Sequence, residues 1–145
     1  MIQIYVNCWA VLAGAIANMG LGFVWYGPLF GKQWVAMMGW SKEAMEKGRA
    51  KMQKEGWKTY LPAFVGSLLT SFVLSYGVLF VSNFFVTTGI SVGLMTGFWA
   101  WLGFVVPVTL STVLWEGKSW NLWFLNASYY LFSLLIIGAI VPAFE

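Results

Sequence analysis

Charged residues divide this chain into three long apolar stretches. None occurs over residues 1–31, 59–115 or 119–144, and Lys32, Glu116 and Lys118 stand at the edges of these stretches. A helix needs about 20 apolar residues to cross the hydrocarbon of a bilayer. The first and last stretches each hold one such span, and the middle one is long enough for two with a turn between. The pattern predicts helices near 2–26, 60–86, 92–115 and 121–143. The turn falls at Thr87-Thr88-Gly89-Ile90-Ser91, rich in turn formers and free of charge. The expected fold is an all-α membrane protein, a four-transmembrane-helix bundle forming one domain over 1–145. Met1-Ile2-Gln3-Ile4-Tyr5 lacks the basic start of a secretory signal, so the first span is expected to be retained.

Small residues pattern these spans. Ala10, Gly14, Asn18 and Gly22 step by four along the first, which keeps them on one helix face. In lipid, where packing rather than hydrophobic burial drives helix association, such a stripe lets a second helix come close. Gly93 and Gly97 form a similar contact motif in the third span. Pro107 removes a backbone bond to Gly103 and is expected to bend that helix.

The long connection 27–59 is expected to hold a helix over 42–56, capped by Ser41. Glu43 and Glu46 lie near its start, where a helix dipole favours anions. Spacing pairs Glu43 with Lys47 and Lys51 with Glu55, and Met45, Gly48 and Met52 make a thin apolar stripe. The connection carries seven cations against three acids. Lys47, Arg49, Lys51 and Lys54 are therefore candidates for contact with anionic lipid headgroups, and nucleic acid is not an expected partner.

Lys118 is the eighth cation, and the second loop and both termini have none. Cation-bearing loops stay cytoplasmic, which predicts 27–59 and 116–120 inside and both termini outside. Trp34, Trp40, Trp57, Tyr60, Trp115, Trp120 and Trp123 cluster at the same boundary, the depth that amphipathic rings prefer. Gly31-Lys32-Gln33-Trp34 and Gly117-Lys118-Ser119-Trp120 share a GKxW pattern. The chain thus divides into two out-in-out hairpins, 1–86 and 92–145, a possible pseudo-repeat.

Polar side chains inside the spans are the candidate site. Asn18, Ser67, Thr70, Ser71 and Ser75 are joined by Thr109, Ser111, Thr112, Asn121, Asn126, Tyr129 and Tyr130. Most fall in the half facing the cationic loops. Such groups usually bond a neighbouring helix. The sharper reading is a ligand or ion site of Asn18, Glu116, Asn126 and Tyr130, with Glu116 turned inward as a cation-binding or proton-relaying carboxylate.

Composition narrows the chemistry. The 145 residues are 60% hydrophobic and 9% charged, with mean hydropathy +0.76, against about 25% charged in a soluble domain. Histidine and aspartate are absent and Cys8 is the single cysteine. One chain therefore offers no His-ligated haem, no common zinc site, no His-based acid–base catalysis and no internal disulfide. No cofactor or metal is expected.

WYGPLFGKQW (25–34), LWEGKSW (114–120) and LWFLNASYYL (122–131) together resemble domain-of-unknown-function family 1761, small four-span membrane proteins found mostly in bacteria. The resemblance spans nearly the whole chain. It marks Trp25, Tyr26, Pro28, Phe30, Gly31, Lys32, Trp34, Glu116, Gly117, Lys118 and Asn126, and implies four helices and membrane residence; the expected location is a bacterial cytoplasmic (inner) membrane. It implies no activity. The first functional expectation is a non-enzymatic helix-packing protein, a homo-oligomer or an accessory subunit of a membrane complex. The alternative is a small transporter or channel with its polar site in the cytoplasmic half. A lipid-, isoprenoid- or quinone-directed enzyme ranks third, because only Glu116, Lys32, Lys118 and the tyrosines offer reactive groups.

Overall fold

The protein is described over residues 4–144 by a computed structural model. The helices are α1 (Cys8–Val24), α2 (Gly31–Met38), α3 (Lys42–Glu55), α4 (Trp57–Phe85), α5 (Ile90–Leu114) and α6 (Trp120–Ile140). Four of them are long and apolar enough to cross a membrane, counting α1 as running on to Leu29 and α6 to Phe144. The chain is a multi-pass membrane protein.

The helix starts follow local chemistry. The Asn7 side chain accepts from Trp9 N at 2.9 Å, and this cap sets the start of α1 at Cys8 rather than near residue 2; residues 2 and 3 lie outside the described residues. Ser41 caps α3 through Ala44 N at 3.2 Å, and Ser119 caps α6 through Leu122 N at 3.2 Å. The connection after α1 holds a helix beyond the one expected, since Gly31–Met38 is α2. It ends at Gly39, whose φ of 70° is the left-handed turn that glycine closes most easily. The expected pairs Glu43–Lys47 and Lys51–Glu55 do not close. Glu55 instead meets Lys58 at 3.0 Å.

Two spans are interrupted where a proline removes a backbone donor. After Val24 the chain makes a π-helical turn, Trp25–Leu29, around Gly27-Pro28, and Phe30 N donates to Trp25 O at 2.9 Å. In α5, Trp101–Val105 is also a π-helical turn, placed just before Pro107, where Val106 N reaches back to Trp101 O. Each wide turn starts at a tryptophan. The GKxW segments, by contrast, differ in structure: the first lies in α2, while the second is a left-handed Gly117 followed by the α6 cap.

Helices α1 and α4 pack as one pair and α5 and α6 as the other, with α6 also against α1. The core between them is Leu74, Val78, Leu134, Ile137 and Val141. Gly93 and Gly97 do bring α5 onto α6. A Cβ on Gly97 would stand 2.5 Å from Leu134 O, and one on Gly93 would overlap Gly138 O. The stripe on α1 works similarly: Ala10 is buried, and Gly14 faces Ser71 of α4 and Ile137 of α6. Tyr26 bonded to Asn126, and Asn7 Nδ2 bonded to Phe144 O at 3.1 Å, fix the two ends of the bundle. The segments bearing all eight cations lie at the Tyr26 end.

Candidate functional site

Asn18 joins three helices. Its Nδ2 donates to Ser67 Oγ of α4 at 2.8 Å. Its Oδ1 accepts from Tyr129 Oη of α6 at 3.2 Å and from Ser133 Oγ of the same helix. Gly22, one turn along α1, leaves room for Tyr129, because a Cβ there would lie 3.2 Å from its hydroxyl. The stripe thus contributes space at Gly14 and Gly22 and a polar tie at Asn18. The amide is engaged by side chains from both neighbouring helices, which is what a polar group in a membrane interior needs.

Asn126 belongs to a second knot nearer the cationic end. Its Oδ1 accepts from Tyr26 Oη at 2.7 Å. The Tyr26 ring meets Tyr129 edge-on at 5.1 Å and Trp34 of α2 at 5.2 Å. Trp25 is buried against Phe30, Tyr129 and Phe132, with ring centroids 4.7, 6.3 and 5.6 Å away. The π-helical turn turns both Trp25 and Tyr26 toward α6. Pro28 produces the turn, Phe30 packs inside it, and Gly31 makes room, since a Cβ there would sit 2.8 Å from Tyr26 O. Lys32 is exposed.

The other marked positions lie apart. Glu116 and Lys118 are exposed in the α5–α6 turn, where Lys118 N caps Thr112 O at 3.0 Å and Gly117 has φ 71°. Tyr130 is exposed, its ring against Tyr129. Asn18 and Asn126 are brought close through Tyr129 and Tyr26, while Glu116 shares no hydrogen bond with either. Lys47, Arg49, Lys51 and Lys54 are exposed on α3. The grooves between α4 and α5, between α1 and α4, and between α2 and α3 contain none of Asn18, Asn126 or Glu116.

Some contributors escape sequence reasoning. Ser133 sits in an apolar run, and its only signal is its four-residue step from Tyr129. Trp101 Nε1 donates to Ala127 O at 2.8 Å and Trp123 Nε1 to Thr109 Oγ1 at 3.0 Å, tying α5 to α6 across the second π-helical turn. From sequence Trp123 reads as a residue of the membrane boundary, and Trp101 carries no signal that sets it apart from its apolar neighbours. Among the described residues, three buried polar atoms, Trp25 Nε1, Ser71 Oγ and Ser82 Oγ, have no hydrogen-bond partner. For Ser71 the reason is visible: its hydroxyl is turned to Gly14, where α1 and α4 approach.

A family model described as a protein of unknown function, DUF1761, matches residues 9–141. No curated protein and no solved structure matches the chain.

Proposed function

The chain belongs to the DUF1761 family, and from that premise we propose that it is a non-enzymatic membrane scaffold that works by helix packing, as a self-associating unit or an accessory subunit of a membrane complex. The observation that carries this reading is the unequal burial of the spans. Within one chain only 6% of the most apolar stretch of α5 is buried, against 39% for α6. Beside α5 runs an apolar groove of about 700 Å³ shared with α4, walled by Val73, Gly77, Met95, Trp99 and Phe104. In lipid the gain on association comes from contact between well-fitting surfaces, and a concave groove with an aromatic wall suits a further helix. The internal polar groups support the same reading, because Asn18 and Asn126 are occupied in holding α1, α4 and α6 together.

In this reading the protein sits in a bacterial inner membrane with the cationic segments inside and both termini outside, following the cation rule. The transport alternative would need the Asn18 junction to open to water.

The test is native mass spectrometry of the chain released from lipid nanodiscs, alongside oxidative crosslinking of Val73→Cys in a Cys8→Ala background. Val73 is exposed on the groove. Dimers or higher species with a Val73→Cys crosslink support self-association, and a stoichiometric co-purifying membrane protein supports the accessory role. A lone monomer that crosslinks to nothing contradicts both.

A further inference from the structure

We propose that the cleft between α2 and α3 is a binding site for one acidic phospholipid, with acyl chain against its apolar walls and phosphate on Arg49. The cleft measures about 540 Å³, within the range of roughly 300–1,000 Å³ in which proteins hold small ligands. Trp34 and Val35 of α2 form one wall, Trp40 the corner, and Met45 and Met52 of α3 the other. Trp34 and Trp40 meet edge-on at 5.1 Å, and Trp34 in turn touches Tyr26 of the first span. The cleft floor is therefore continuous with the end of the membrane bundle, at the depth of headgroups and upper acyl chains.

Two features select the occupant. No residue of α3 is buried, so the stripe of Met45, Gly48 and Met52 faces a cavity that the chain does not fill. An apolar cavity at this depth is met first by lipid. Arg49 lines the same cleft and has no acidic partner within salt-bridge distance among the described residues, whose one ion pair is Glu55–Lys58. A guanidinium offers paired donors that match phosphate geometry. From Ser41 to Lys58 there are six cations against three acids, a balance that an acidic leaflet attracts and a zwitterionic one does not. The site is independent of how the bundle associates.

The test uses the full chain in detergent, titrated with phosphatidylglycerol or phosphatidylcholine carrying brominated acyl chains, which quench nearby tryptophan fluorescence. Arg49→Gln is compared with Lys47→Gln, which removes the same charge from α3 outside the cleft. Circular dichroism checks that both keep their helix content. The expected result is a saturable component of quenching specific to phosphatidylglycerol, above the background from other exposed tryptophans and lost when Trp34 and Trp40 are replaced by Phe, with affinity weakened about tenfold by Arg49→Gln and under about twofold by Lys47→Gln. An equal Trp34- and Trp40-dependent component with both lipids, or equal effects of the two substitutions, would overturn the site. Displacement of the lipid by soluble polyglutamate would also overturn it, marking a cationic surface for protein instead.

Discussion

Gly93 and Gly138 face each other where α5 crosses α6, so closely that a Cβ on either would overlap the other's carbonyl oxygen. The hairpin can close this far only because both residues lack a side chain. Gly93→Ala or Gly138→Ala must push the helices apart and should cost about 1–3 kcal/mol, the range for overpacking. Gly66→Ala is the control, since an added methyl there meets nothing within 4 Å. Thermal unfolding in detergent should show lower midpoints for the first two and no loss for the third.

Asn18→Leu removes the bonds to Ser67, Tyr129 and Ser133 together. Interhelical bonds in membranes average about 0.6 kcal/mol each, so the loss should be near 2 kcal/mol. Ser133→Ala should cost about a third as much. Combining the two should cost less than their sum, because they share one interaction. Unfolding titrations in mixed micelles measure all three variants.

The α5–α6 turn separates conformation from charge. Gly117 has φ 71°, a region that costs other residues about 1–2 kcal/mol, so Gly117→Ala should destabilise by that amount. Glu116→Gln and Lys118→Gln alter exposed side chains and should stay within about 0.5 kcal/mol. A reversed order, with the charge changes the more harmful, would point to a role for Glu116 that its position does not reveal.

Trp101→Phe keeps most of the ring but loses the 2.8 Å bond to Ala127 O. It should cost about 1 kcal/mol, while Trp99→Phe, on the exposed side of α5, should cost little in the monomer. Measuring association of both variants separates the roles: Trp99→Phe should weaken only the assembled state.

Much of this architecture is legible in sequence because lipid imposes a simple rule on charge and length. The absence of charge marked the spans, and the four-residue step of Ala10, Gly14, Asn18 and Gly22 marked a packing face. The α2 helix is obscured because its Lys32 and Trp34 also suit a membrane exit. The π-helical turns cannot be read from periodicity, since each adds one residue to a local turn, and so the likeness between Trp25 and Trp101 stayed hidden behind the GKxW match. The junction is half legible. Asn18 stands out as an amide in an apolar run, but its partners lie 49 and more residues away, and nothing local distinguishes Ser133 from filler. Which polar groups meet depends on how α1, α4 and α6 rotate about one another.

The most direct measurement is side-specific thiol labelling in sealed cells, with Cys8→Ala as background and single cysteines at Lys118 and Thr88. These positions flank α5 at its two ends. An impermeant reagent applied outside should label Thr88→Cys at once and Lys118→Cys only after the membrane is opened. Labelling of both positions from the same side would contradict the four-span arrangement and the placement of every group argued from it.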